Sequence, residues 1–427
     1  MPKGKKKGKF EHRRTELPYS SDEDAGIDMT NDNCSETSGQ SDLRSNHDEA
    51  ENELQEKFEE KVLEIIDALS ARSNAARASA LVALRNALQR RYLAALLSGQ
   101  RATLADHVTR ALRRGKDGEK KAAAAIAPVL ALQIGDEGIE EFMSEVRPAL
   151  IAAATDKTAS LDTRTECCSS LAVLCYLMED DLAEILEVMR VFETIFSGSY
   201  LKGDGSVKVS GSVIEEGGWH AAAVDGWALL LALISPDHAR SLLKDHAPSF
   251  DRLADLLSAC SLEVRMAAGG ALAVAHERAT ADGEEWAGGA ELAPRLHELA
   301  RDSHKFRAKR DRKLQRATFR DILKYFEEGE VPELRVRIGS ECVTCDSWAA
   351  RGAYSALAGA LGAGLQPLAP HCAALRAALR LPDPLPDLPR PQRANKLQRH
   401  LQNNAACKAR TVARNKNRDK RSAALAI

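Results

Sequence analysis

"RMAAGGALAVA", residues 265–275, reads as a helix made almost wholly of small and aliphatic side chains. It opens on Arg265, with small residues two and three places on and an apolar group six to ten places on. Similar openings occur at Arg77 ("RASALVALRNA"), Lys120 ("KKAAAAIAPVL"), Arg164 ("RTECCSSLAVL") and His220 ("HAAAVDGWALL"). These starts are separated by 43, 44, 56 and 45 residues. The long interval contains "SGSYLKGDGSVKVSGS" (197–212), a Gly/Ser-rich insertion of about the excess length. A period in the low to mid forties, carried by helix pairs, is the signature of armadillo or HEAT repeats. A single pair cannot bury its own apolar face, so neighbouring repeats stack into one continuous core. Aromatic residues make up only 4% of the chain, which suits Ala/Leu packing. The predicted fold is an all-α, armadillo/HEAT-like helical repeat solenoid.

Working outward, residues 54–300 form the repeat array. "LQEKFEEKVLEIIDALS" starts it, with Leu54, Phe58, Val62, Ile65, Ile66 and Leu69 on one helical face. Residues 1–53 are polar and acidic and cannot bury enough apolar surface to offset chain entropy, so they read as a disordered leader. Ser20 and Ser21 precede a run of acids and read either as phosphate acceptors or as part of a solvated linker. Residues 301–380 form a small C-terminal helical region. It begins with "KRDRKLQRATFRDILKYF" (309–326), whose apolar positions are Leu314, Phe319, Ile322, Leu323 and Phe326. "ELRVRIGSECVTC" alternates around a Gly-Ser turn and predicts a short β-hairpin. "DSWAARGAYSALAGALG" returns to helix, with Asp346 or Ser347 as N-cap. Residues 381–391 are a Pro-rich linker, and residues 392–427 a basic tail, helical when bound.

The formal net charge of −2 hides strong asymmetry. Lys3, Lys5, Lys6, Lys7 and Lys9 crowd the N-terminus, and fourteen Asp/Glu against two Lys/Arg fill residues 21–60. Residues 304–320 hold eight Lys/Arg against Asp311, and residues 390–427 hold eleven against Asp419. Like charges at helical spacing repel unless an anion relieves them, so these runs predict a polyanionic partner. The candidate phosphate-binding residues are Lys305, Arg307, Lys309, Arg310, Arg312 and Lys313 in the first run. In the tail they are Arg393, Lys396, Arg399, Lys408, Arg410, Arg414, Lys416, Arg418, Lys420 and Arg421. The tail has no aromatic residue to stack on bases, so it is expected to read backbone phosphate and shape. A nuclear-localisation role for "NKNRDKR" (415–421) competes. Part of the first run also has acids of its own chain within reach, in Glu327, Glu328 and Glu330.

Catalytic patterns fail on inspection. "HERAT" (276–280) has Thr280 where a zinc-protease helix needs its second His, and neither a phosphate loop nor a nucleophile elbow occurs. Cys342 and Cys345 form one C-x-x-C, with His371 and Cys372 far downstream, and without a second pair this reads as ordinary thiols. Nine cysteines read as free thiols in a reducing compartment. No apolar run is long enough to span a bilayer. The expectation is a non-enzymatic protein without cofactor, metal, small-molecule substrate or membrane partner, located in cytoplasm and nucleus.

"RDRKLQRATFRDILKYFEEGEVP" followed by "DSWAARGAYSALAGALGAGL" closely resembles the C-terminal signature of the interferon-related developmental regulator family. Thr318, Phe319, Arg320 and Asp321, then Asp346, Ser347 and Trp348, carry the likeness. The "KGKKKGKF" start and the acidic, Ser-rich leader also fit. The resemblance implies an armadillo-like, non-enzymatic regulator with one of two activities. One is binding of ribosomes, with ribosomal RNA as the anion, and repression of translation by a C-terminal helix lying in the mRNA path. On this sequence that helix corresponds to about residues 394–420. The other is nuclear co-regulation of transcription, in which the protein bridges transcription factors and histone-deacetylase corepressor complexes during differentiation. The concave face of the array is then the expected docking surface.

Overall fold

A computed structural model of the chain describes residues 39–135, 138–200, 215–245, 248–284, 286, 292–301 and 309–382, with side chains from Glu53 onward. The helices in chain order are α1 (Gly39–Ala68), α2 (Asn74–Leu88), α3 (Ala94–Leu97), α4 (Arg101–Arg114), α5 (Asp117–Ile134) and α6 (Ile139–Thr155). They continue with α7 (Leu161–Met178), α8 (Leu182–Phe196), α9 (Gly217–Leu231), α10 (Pro236–Asp245), α11 (Phe250–Asp255), α12 (Leu262–Ala279), α13 (Leu292–Arg301) and α14 (Lys309–Glu328). After the strands β1 (Leu334–Ile338) and β2 (Glu341–Cys345) come α15 (Trp348–Leu361), α16 (Leu365–Leu368) and α17 (Ala373–Ala378). The helix α1 starts at Gly39, inside the stretch that composition assigned to the leader. The Glu-, Ala- and Leu-rich sequence from Asp48 onward contains good helix formers, which accounts for the extension. The rest of the leader, the insertion from residue 201 to 214, the linker beyond Pro382 and the basic tail lie outside the described residues.

The helices α2, α5, α7, α9, α12 and α14 stack in that order as an inner row, and α4, α6, α8, α10 and α13 back them. The predicted repeat holds down to the residue. Arg77, Lys120, Arg164, His220 and Arg265 are each the fourth residue of their inner helix. A side chain there points back over the preceding turn, whose carbonyls the helix does not satisfy. Arg77 donates to the carbonyls of Ala71 (2.9 Å) and Arg72 (3.1 Å) and pairs with Glu119 of the next repeat at 2.6 Å. Lys120 likewise reaches Asp156 at 2.6 Å. Arg265 donates to the carbonyls of Ala259 (2.6 Å) and Cys260 (2.9 Å) and to Gln315 (3.1 Å). Arg164 lies over the Trp219 ring at 4.3 Å, and His220 accepts or donates at Ser199 Oγ, 2.7 Å away. Arg312, 47 residues beyond Arg265 and half-buried, continues the series in α14.

Small residues set the spacing of the inner row. A methyl group on Gly226 would sit 2.9 Å from Phe192 and 3.0 Å from the Ala172 Cβ. On Gly269 it would sit 2.7 Å from Ile322 Cδ1 and 2.9 Å from Phe319 Cε1. Phe319, Trp227, Phe192 and Phe196 are fully buried among these helices. Cys167, Cys168, Cys175, Cys345 and Cys372 are buried and free, and burial pushes the Cys167 and Cys175 thiols up to about 12.

The C-terminal region does not extend the row. The strands β1 and β2 pair antiparallel through the predicted Gly-Ser turn, with Ile338 opposite Glu341 and Gly339 at φ 59°. Then α15 turns back across the inner helices, touching α12, α9, α7 and α5. Its N-terminus is capped by Ser347, whose Oγ accepts from the Ala350 N–H at 3.1 Å. It is also held by Glu277 of α12, which accepts from the N–H groups of Trp348 (2.6 Å) and Ala349 (3.3 Å). Its C-terminus meets α2, where Arg85 donates to the Ala360 carbonyl (2.9 Å) and Gln89 to the Leu361 carbonyl (2.8 Å). The inner face, expected to be an open docking surface, is therefore crossed by the chain's own helix.

Two outcomes are expected for stability. Gly269→Val should destabilise the fold by about 1–3 kcal/mol through overpacking against Phe319 and Ile322. Gly270→Ala, with open space at that position, should stabilise it by roughly 0.5–1 kcal/mol through backbone entropy; urea titration checks both. His220 has its pKa lowered from 6.5 to about 4, by burial first and the Arg164 guanidinium second. The folded state thus favours the neutral ring, and its contribution is fully present above pH 6.5. It is lost as the pH falls toward 4, to about 3 kcal/mol in all. Unfolding free energies measured across that window should fall less steeply in His220→Gln.

Candidate nucleic-acid interface

The cationic run lies on α14, whose apolar positions anchor it. Phe319, Ile322 and Leu323 are buried against the stack, and Gln315 is buried between Arg265 and the Leu299 carbonyl. Leu314, assigned by pattern to the same face, is 50% exposed and lies beside a trough. With the apolar edge pinned, the opposite edge faces solvent. Lys309, Lys313, Arg316 and Arg320 fall at i, i+4, i+7 and i+11, one stripe about 16 Å long at 1.5 Å per residue. Arg310 is exposed about a quarter turn away from it. Arg316 donates to the Arg312 carbonyl at 3.2 Å, and the Nε of Arg312 is buried without a hydrogen-bond partner. The stripe therefore differs from the residues read from the sequence. Arg312 turns inward as a repeat residue, whereas Arg316 and Arg320 join Lys309 and Lys313. Helical spacing was the signal that would have found them.

Lys309, Arg310, Lys313 and Arg320 make no ion pair among the described residues. The nearby acids are used elsewhere: Lys324 reaches Glu330 at 2.5 Å and His297 reaches Glu327 at 2.9 Å. Cations in a first turn also oppose the helix dipole, and Asp311 is the only acid there. Folding thus gives no reason for this charge. Lys305, Arg307 and the tail cations from Arg393 to Arg421 lie outside the described residues.

The remaining signature residues are structural. Phe319 fills the space left by Gly269, Thr318 borders the trough, and Ser347 caps α15. Asp346 lies 3.6 Å from Arg380, Trp348 packs beside Tyr325 at 6.1 Å, and Asp321 is exposed. Cys342 is exposed while Cys345 is buried, His371 stacks on Tyr92 at 5.2 Å, and Cys372 lies 3.6 Å from the Leu132 carbonyl. These four side chains do not converge.

One arrangement was not read from the sequence. Ser199 and His220 form a nucleophile–base contact at 2.7 Å, and Glu216 lies 3.9 Å from the other ring nitrogen. Ser199 and His220 are only 4% and 2% exposed, and a ring with its pKa near 4 is a weak base at neutral pH. The contact satisfies buried polar atoms and offers no route for a substrate. Among the described residues, no helix is long and apolar enough to cross a membrane.

Comparison with known proteins places this geometry in a family. The model described as "Interferon-related developmental regulator" matches residues 33–327, and the "Interferon-related protein conserved region" matches residues 373–422. Interferon-related developmental regulator 1 of Mus musculus is 35% identical over 420 residues, covering 96% of this chain and 91% of the relative. The Homo sapiens protein of that name is 33% identical over 421 residues, covering 96% and 91%. Interferon-related developmental regulator 2 of Mus musculus is 37% identical over 381 residues, covering 87% and 85%.

Replacing Lys309, Lys313 and Arg320 together by Gln should leave stability within about 0.5 kcal/mol of the parent, because no partner is lost. The same variant should bind structured RNA more weakly, with the log–log salt slope smaller by roughly 3. Thermal melts and a salt series of RNA titrations check the two halves.

Proposed function

The chain belongs to the interferon-related developmental regulator family, and on that footing we propose that it is a non-enzymatic regulator that binds ribosomal RNA and represses translation by steric occlusion. The observation that carries this reading is the solvent-facing cation stripe of α14, which the fold does not neutralise. A second reservoir supports it: ten Lys/Arg against Asp419 between Arg393 and Arg421, inside the family's conserved region at residues 373–422. In this account α14 sets a rigid row of charges on RNA phosphates, and the tail occupies the path that mRNA would take. No bond is made or broken. The developmental role named in the relatives then follows from control of which ribosomes translate.

Sucrose-gradient sedimentation of lysate tests it, comparing the intact chain with one ending at Pro391. The intact chain should travel with monosomes and not polysomes, and the shortened chain should leave them. With about half the tail cations on phosphates, release should follow a log–log salt slope of roughly −3 to −5. If both versions stay at the top of the gradient at low salt, the ribosome reading is wrong. A nuclear scaffold for deacetylase corepressor complexes and transcription factors then takes its place.

A further inference from the structure

Where α15 crosses the inner row it does not seal it. A trough of about 800 Å³ remains between α15 and the helices α7, α9, α12 and α14. Its walls are mostly Ala and Gly, so a chain can approach the backbone closely. Its ionisable residues are Glu166, Asp225, Glu263 and Arg351. Arg351 is engaged elsewhere, donating to the Pro332 carbonyl and lying 5.8 Å from the centre of the Trp348 ring. The three carboxylates make no ion pair among the described residues.

Asp225 is the most telling of them. It sits in the middle of α9, between the buried Val224 and Gly226, and its carboxylate opens only into the trough. Water reaches it there, but protein surrounds it otherwise, and burial alone pushes its pKa up to about 6. No described residue donates to it. A carboxylate enclosed without a partner costs stability. That cost disappears if a cation is set against it. Leu229, Val274 and the exposed Leu314 supply apolar surface for the aliphatic stem of such a cation.

The chain carries a matching segment and delivers it nearby. The described part ends at Pro382, whose carbonyl accepts from Arg376 Nε at 2.7 Å. Arg380 lies 3.6 Å from Asp346, two residues before Trp348 on the trough wall. The residues between Pro382 and Arg393 reach about 30 Å if extended at ~3.1 Å each. A tether of that length holds the tail at an effective concentration in the mM range. We propose that the trough is a binding site for a basic chain segment, and that in the free protein its occupant is the chain's own tail, residues 392–427, with a Lys or Arg side chain set among Asp225, Glu166 and Glu263. The docking stands on the trough and the tether alone. Its consequence rests on the ribosome reading: a docked tail is withheld from adventitious RNA until a denser polyanion competes for it.

Zero-length carbodiimide cross-linking of the purified full chain at low salt, with peptide mapping, is the direct test. It should join tail lysines such as Lys396 or Lys408 to Asp225, Glu166 or Glu263 within one chain, and high salt should abolish the link. In the variant Asp225→Asn, Glu166→Gln, Glu263→Gln, trypsin should remove the tail about tenfold faster, the factor that roughly 1.4 kcal/mol of docking gives. Asp225→Asn alone should raise the stability of the fold while weakening docking, an opposition that a purely structural residue does not produce. Equal cleavage of the tail in parent and triple variant, or cross-links formed only between chains, would overturn the proposal. A tail that docks while the intact chain fails to reach monosomes would instead sink only the ribosome reading.

Discussion

The inner helices approach one another more closely than ordinary side chains allow, and the rest of the molecule follows from that spacing. Gly226 against Phe192 and Ala172, and Gly269 against Phe319 and Ile322, leave no room for a methyl group. Helices packed this tightly squeeze water from the turns that connect them. The carbonyls at those turns then need donors from the chain. The fourth residue of each inner helix is where such a donor can reach, and Arg77 and Arg265 both use it for paired carbonyl contacts. The cation repeat and the small-residue repeat are therefore two sides of one packing solution.

That coupling is why so much of the array was legible in the sequence. Small residues and a long polar side chain recur in fixed phase, and each inner helix repeats the same local chemistry. The hairpin and the Ser347 cap were legible for a similar reason, since a Gly-Ser turn and an N-cap are decided within a few residues. The path of α15 was not. Its position depends on contacts between residues far apart in the chain, such as Arg85 with Ala360 and Gln89 with Leu361, at separations of 275 and 272. Nothing periodic announces such a pair. Leu314 was misassigned for the same reason, because only the trough beside α15 leaves an apolar position of α14 uncovered. The cation stripe was half legible. Charge density found the segment, but the burial of α14 decided that Arg312 turns inward and Arg320 outward.

Crossing the array changes its mechanics. In an open solenoid each repeat touches only its neighbours, and strain at one end fades along the row. Here α15 joins α12 to α2 through Glu277 at one end and Arg85 and Gln89 at the other. Arg376 and Glu341 clamp the hairpin to α17 through two contacts of 2.7 and 2.9 Å. The first and later repeats thus share load, and the array is braced as a unit. A braced scaffold suits a surface that must present a fixed row of charges, because a flexible one would lose entropy each time it met a rigid polyanion.

Charge is partitioned along the same lines. A net of −2 would suggest indifference to charged partners. Yet the α14 stripe is unpaired and cationic, and the trough a few residues away on the same helix is unpaired and anionic. Thr318 borders the trough, whereas Arg316 and Arg320, two residues either side, lie on the stripe. One helix therefore separates a surface that attracts polyanions from a cavity that attracts cations. The basic tail is complementary to the second and a competitor of the first for any shared anion. A segment with that double relation is drawn to the trough when no polyanion is present and repelled by the stripe at all times. Arrival of a polyanion on the stripe screens that repulsion and supplies a denser anionic surface for the tail. The arrangement couples the two events through electrostatics alone, without requiring any change in the packed core.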